Sequence, residues 1–198
     1  MPSRAQDAAF SQFVSLACHD IRTPLATVTG FVRTLPRVVD ADERASRYLA
    51  LIDAAADQLA GLVDDLSVVA RIESGRYDPP LVEVDALELA RVAAERTTDG
   101  NVDVSGHGER VLVEPDGIIR ALAHLARCVL RHGALERVTV EVDGPGLALS
   151  PVSADVAPIV LGEDLRDMGA AVAVRVVAAL GGSSAVEGER LLVRLPRP

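Results

Sequence analysis

A chain of 198 residues, 49% of them hydrophobic, can bury one or two real cores and is not of the disordered class. A net charge of −9 opposes a general binder of nucleic acid or anionic membrane, since both need a basic face. Two isolated cysteines, Cys18 and Cys128, give neither a disulfide framework nor a close-spaced zinc motif and fit a reducing compartment.

The opening stretch Met1-Pro-Ser-Arg-Ala-Gln-Asp7 is polar and carries no signal core, and no run reaches the roughly 18 apolar residues of a membrane span. The expectation is a soluble, cytoplasmic chain without membrane contact, any sensor domain lying elsewhere. From about Ala5 to Leu35, apolar residues fall at Phe10, Phe13, Val14, Ala17, Ile21, Leu25, Val28, Phe31, Val32 and Leu35. Steps of three and four predict one helical stripe, ended by Pro36 and followed by a polar turn from Asp40 to Glu43. A second stripe, Leu49, Ile52, Ala56, Leu59, Val63, Leu66 and Ala70, ends near Gly75. Two amphipathic helices of about 30 residues with a short connection predict an antiparallel hairpin. Such a hairpin cannot bury both stripes alone, so two copies forming a four-helix bundle is the economical solution.

The first helix also holds a concentration of chemistry. At about 100° per residue, His19 lies off the seam set by Ala17 and Ile21 and is expected to face solvent. Thr23 stands one turn above it on nearly the same face, and Asp20 is its immediate neighbour. A carboxylate there suits holding the imidazole in one tautomer and taking its proton, while the threonine hydroxyl suits orienting a water. Pro24 removes one backbone hydrogen bond and is expected to bend the helix just past the site.

Tyr77-Asp-Pro-Pro80 predicts a linker, dividing the chain into residues 1–76 and 77–198. Beyond it, Leu81–Val84, Val102–Val104, Val111–Val113, Val138–Val142 and Leu191–Leu195 read as strands. Ala86–Arg96, Gly117–Arg131 and Met168–Leu180 read as helices. The mixture predicts a two-layer α/β sandwich, making the chain α+β overall.

The string Leu16-Ala-Cys-His-Asp-Ile-Arg-Thr-Pro-Leu25 resembles the phosphoacceptor box of HisKA-type two-component sensor histidine kinases. The likeness extends over about residues 8–75, including the Ala70-Arg-Ile-Glu-Ser-Gly75 ending of the second helix. It implies a homodimer, phosphorylation on His19 with Asp20 and Thr23 as its catalytic companions, and docking of a response-regulator receiver domain. The second half resembles, in outline, the Bergerat-type ATP-binding domain of such kinases. Val113–Leu122 matches its strand-to-helix entry, and Leu180–Gly188 with Leu191–Pro196 its closing hairpin.

The nucleotide motifs depart from the family pattern. The helix expected as Asn-Leu-x-x-Asn-Ala-x-Arg/Lys-His reads His124-Leu-Ala-Arg-Cys128-Val-Leu-Arg131-His132, with neither asparagine. Cys128 stands where a hard Mg²⁺ wants oxygen; it is read as a small buried residue, His124 and His132 as surface or capping groups, and no metal site is expected. Asp-x-Gly-x-Gly appears as Val142-Asp143-Gly144-Pro145-Gly146, with Asp143 one position out of register or the whole a tight turn. Gly-x-Gly-Leu becomes Gly169-Ala-Ala-Val172. The degenerate cofactor set is thus Arg131, Asp143, Gly144, Gly146 and Gly169, serving ATP and Mg²⁺ only if the divergent site works. The expected function is exchange of a phosphoryl group between His19 and a response-regulator aspartate. The alternatives are an ATP-dependent autokinase with a divergent site, or a non-catalytic scaffold binding a partner histidine kinase or a receiver domain.

Overall fold

The computed structural model describes residues 4–38, 42–97 and 100–198; along its first helix, side chains are described at 14, 17–19 and 21–36. The chain divides into two compact units, Met1–Arg76 and Tyr77–Pro198.

The first unit is a helical hairpin of α1 (Arg4–Val38) and α2 (Glu43–Glu73). Arg22 bonds Asp64 at 2.8 Å, and farther along α1 Arg33 bonds Asp53 and Asp57 at 2.8 and 2.7 Å. As the number on α1 rises its partner on α2 falls, which is the mark of antiparallel helices. The start of α2 is fixed by Asp42, whose carboxylate accepts the Ala45 amide at 2.7 Å. Its end is a Schellman motif. Gly75 sits at φ +68°, its amide donates to the Ile72 carbonyl, and the Arg76 amide donates to that of Arg71.

The hairpin separates the two stripes into heptad rows. Cys18 and Val32 are buried and Leu25 is half-buried; on α2, Ala56, Val63 and Ala70 are buried with Leu49 half-buried. Seven-residue intervals on both helices identify this as the internal seam. A second row, Ile21, Val28 and Leu35 on α1 and Ile52, Leu59 and Leu66 on α2, is shifted by three residues and exposed in the single chain. Ile21 therefore does not share the internal seam expected for it. Phe10, Phe13 and the Asp40 end of the expected turn lie outside the described side chains. α1 also runs past Pro36 to Val38, because a proline in the last turn forfeits only one amide bond. It continues unbroken through Pro24.

The second unit has a two-stranded ribbon and a five-stranded sheet, with helices on one face of the latter. In the ribbon, β1 (Val82–Asp85) pairs antiparallel with β3 (Arg110–Val113). The sheet contains β2 (Asn101–Gly108), β4 (Arg137–Gly144), β5 (Gly146–Ser150), β6 (Ser183–Glu187) and β7 (Arg190–Arg194), in the order β2-β4-β5-β7-β6. Only β2–β4 is parallel, the helix α4 (Pro115–His132) lying between them in the chain. Cross-strand partners Val140↔Leu149, Val142↔Leu147, Leu147↔Val193 and Leu149↔Leu191 put one apolar face inward. Against it pack α3 (Ala86–Glu95), α4 and α6 (Met168–Ala179), with Leu89, Ile118, Leu125 and Val129 buried to within 1%. The other face carries charge, with Arg190 bonded to Glu141 and both exposed. This is the two-layer sandwich of the expected α+β chain.

β2 is longer than its apolar run because Gly106, at φ +103°, lets the strand pass Val142; a methyl there would meet the Val142 carbonyl oxygen at 2.0 Å. Strand β5 and the one-turn α5 (Ala157–Val160) were not among the expected elements.

Candidate functional site

Two regions carry candidate chemistry, one in each unit. In the first, Cys18 (2% exposed) fills the internal seam of the hairpin. One helical step of 100° then turns His19 outward, and the residue is exposed. Thr23 and Pro24 are exposed on the following turn. The side chain of Asp20 lies outside the described residues. Arg22, between His19 and Thr23 in sequence, donates to Asp64 Oδ1 at 2.8 Å and ties this turn of α1 to α2. Pro24 has no amide for the carbonyl four residues earlier, and Thr27 Oγ1 donates to the Thr23 carbonyl at 3.1 Å. The result is an imidazole presented to solvent on a helix whose register is set by a buried neighbour and a cross-helix ion pair. Such a group can act as a nucleophile toward a bound electrophile.

In the second unit the expected nucleotide residues fall in two places. Asp143 pairs with Gly146 across a two-residue hairpin, Gly144-Pro145, with Gly144 at φ +59° as such a turn with glycine first requires. The Gly144 and Pro145 carbonyls accept the amides of Glu109 and Leu195. Asp143 is exposed and lies 3.3 Å from His107 Nε2. A shallow groove there is shared with Gly181, Gly182 and Ser183, beyond the C-terminal end of α6. Gly169 is in the first turn of α6, about 15 Å along the helix axis from its C-terminal end. Asp143, Gly144 and Gly146 thus lie at a hairpin turn between β4 and β5, and Gly169 lies at the opposite end of α6 from the groove they share.

Around the start of α6 the second group assembles. Asp167 is its N-cap, Oδ1 accepting the Ala170 amide at 2.9 Å. Its other oxygen lies 3.3 Å from His132 Nε2 and 3.7 Å from Arg131 Nη1. Cys128, one turn before His132 on α4, is buried. Burial, then the nearby Asp167 carboxylate, push its thiol up to about 12, with Arg131 opposing. His124 lies over Gly169, where an added methyl would meet its Nδ1 at 2.4 Å. His124 Nδ1 also pairs with Arg127 at 2.9 Å. Arg131 and Gly169 of the expected set are therefore near the same helix start, joined by a residue not singled out from sequence, Asp167. An aspartate directly before Met168-Gly-Ala is a capping signal that would have marked it.

Residues 10–75 match the family model of the His Kinase A (phospho-acceptor) domain. The chain is 28% identical over 116 residues to the probable sensor histidine kinase TcrY of Mycobacterium tuberculosis, covering 59% of this chain and 24% of that protein. It is 31% identical over 127 residues to the sensor protein DivL of Caulobacter vibrioides, covering 60% of this chain and 16% of that one. The aligned part is a quarter or less of these relatives' length. The fold is similar to that of ShkA, solved full-length in complex with AMPPNP, with a TM-score of 0.70 at 21% identity over 93% of this chain and 45% of that one. It is also similar to the Acinetobacter baumannii histidine kinase AdeS, with a TM-score of 0.55 at 16% identity over 90% and 97% of the two chains. No helix among the described residues is long and apolar enough to cross a membrane.

Proposed function

We propose, since this chain belongs to the HisKA-type sensor histidine kinase family, that His19 is a phosphoacceptor which exchanges its phosphoryl group with the aspartate of a response-regulator receiver domain. The observation that carries the reading is the outward turn of His19 beside a buried Cys18, inside the stretch that matches the phospho-acceptor domain. In the forward step an imidazole nitrogen attacks phosphorus of the receiver's aspartyl phosphate. The P–N bond forms, the P–O bond to the carboxyl breaks, and the other ring nitrogen gives its proton to a base, for which Asp20 is the adjacent carboxylate. Thr23, one turn on, is placed to orient water for hydrolysis of the phosphohistidine.

The acting form is a homodimer. The exposed heptad row Ile21, Val28, Leu35, Ile52, Leu59 and Leu66 gives each hairpin a second seam, and a second copy supplies a matching one. Residues 1–76 then form the dimerisation and phosphotransfer domain, and residues 77–198 an ATPase-like domain.

We infer that ATP is not the source of the phosphoryl group. The residues at the start of α6 do not fit Mg²⁺-ATP. Phosphate favours bare amides at a helix N-terminus, but here Asp167 already supplies the anion and the His124 ring occupies the space beside Gly169. Cys128 offers a protonated sulfur where Mg²⁺ requires oxygen. The chain is cytoplasmic in this reading, and the ATPase-like domain serves packing and docking. The test incubates purified chain with labelled ATP and Mg²⁺, and separately with a phosphorylated receiver domain. Label on His19 from the receiver alone supports the reading; label from ATP makes the chain an autokinase; label by neither route, with the receiver still bound by His19→Gln, makes it a scaffold.

A further inference from the structure

Cys128 and His132 are one turn apart on α4, and Asp167 reaches them from the start of α6, so a sulfur, a nitrogen and an oxygen converge from two helices. Their donor atoms all lie within 4.8 Å of one another. We propose that Cys128, His132 and Asp167 form a binding site for a borderline divalent transition-metal ion of the Zn²⁺ type, independent of any role of His19.

The donor chemistry selects the ion. Mixed thiolate, imidazole and carboxylate ligation is the set zinc uses, whereas Mg²⁺ and Ca²⁺ want oxygen throughout. The spacing fits as well. With Zn–N and Zn–O bonds of about 2.0–2.1 Å, tetrahedral geometry separates the two ligand atoms by about 3.3–3.4 Å. His132 Nε2 and Asp167 Oδ2 stand 3.3 Å apart.

The ligands are also held in place from outside. The Asp167 carboxylate is fixed by its other oxygen, which accepts the Ala170 amide, leaving Oδ2 directed at the cluster. Cys128 is buried within α4, and Asp167 is 8% exposed. Both ends therefore sit on helices packed into the core, and little ordering remains to be done on binding. Among the described residues Arg131 is a competing cation, 3.7 Å from the same oxygen, with its side chain 62% exposed. Three protein donors leave the fourth position to a water or to a donor from another molecule, the arrangement of an open zinc site and not of a closed structural one. Binding releases the Cys128 proton to solvent as the metal–sulfur bond forms.

The test titrates the reduced, chelator-treated full chain with Co²⁺ alone, following thiolate-to-metal charge-transfer absorption, and then adds Zn²⁺. One Co²⁺ per chain, displaced by Zn²⁺, retained in Cys18→Ala and lost in Cys128→Ala, is the expected result. Should Cys128→Ala not fold, His132→Gln and Asp167→Asn test the same site, since asparagine keeps a capping side chain. Each is expected to weaken Co²⁺ by more than the roughly 10–100-fold that loss of an outer-shell partner costs, and Arg131→Ala to tighten it. Absence of the absorption, its persistence in Cys128→Ala, or wild-type affinity in both ligand variants overturns the site.

Discussion

Leu59→Ala separates the two seams of the hairpin. Leu59 belongs to the outer heptad row and is 53% exposed in a single chain, so about half of its side chain is left for a second copy to cover. Full burial of a leucine contributes about 1.5–3 kcal/mol, which makes the intermolecular half about 1 kcal/mol per copy. The symmetric dimer loses it twice, about 2 kcal/mol, and at 1.4 kcal/mol per tenfold the dissociation constant rises about 30-fold. Val63, 6% exposed on the inner row, is the control. Val63→Ala removes packing inside one hairpin and is expected to lower folding stability by about 1–2 kcal/mol. Sedimentation equilibrium over a concentration series, with thermal unfolding in parallel, reads both quantities. A Leu59→Ala dissociation constant within threefold of wild type, or a monomeric wild type, refutes the assignment of the outer row to a second copy.

Two glycines with positive φ, Gly75 at +68° and Gly106 at +103°, should respond very differently to alanine. Gly75→Ala meets nothing within 4 Å and suffers only the left-handed strain of about 1–2 kcal/mol. Gly106→Ala adds a collision with the Val142 backbone and should exceed it in urea unfolding; equal losses would contradict the close approach of β2 to β4. Cys128, its thiol pushed up to about 12 chiefly by burial, should resist iodoacetamide at pH 8 in the folded, metal-free chain and react on unfolding; rapid native labelling would show the site to be open. The same shift has a sign for stability: the unfolded thiol releases its proton above its ordinary 9.0 while the folded one holds it. The contribution is therefore complete below pH 9 and is lost as pH rises toward 12, a slope that Cys128→Ala should remove.

The helical hairpin was legible because its apolar spacing is long and regular, but periodicity alone merged two rows into one stripe. Ile21 and Cys18 differ by three residues, and only the packing of α2 tells which faces inward. The exposure of His19 agrees with the expectation, although the inner seam that turns it outward runs through Cys18 and not through Ile21. In the second unit the strand with alternating valines, β4, was clear. Strand β5 was not, because Gly146 and Ala148 carry weak strand preference and its place is fixed by pairing between Leu147 and Val142. Matching a glycine pattern likewise placed Asp143 and Gly144 at a nucleotide site, although the same residues serve a hairpin turn equally well. The cluster at Asp167 was hidden for a different reason. His132 and Asp167 are 35 residues apart, and nothing local to α4 shows that the cap of α6 comes to rest beside it.

The proposed phosphorylation of His19, and the donor of its phosphoryl group, are measured most directly by supplying each donor in turn. A cognate receiver domain phosphorylated with labelled acetyl phosphate, and labelled ATP with Mg²⁺, are given separately to the wild-type chain and to His19→Gln. The expected result is label on the wild type from the receiver only, stable to alkali as a phosphohistidine is, and none on His19→Gln. Label from ATP on His19, or receiver-derived label that survives the His19→Gln substitution, would contradict it.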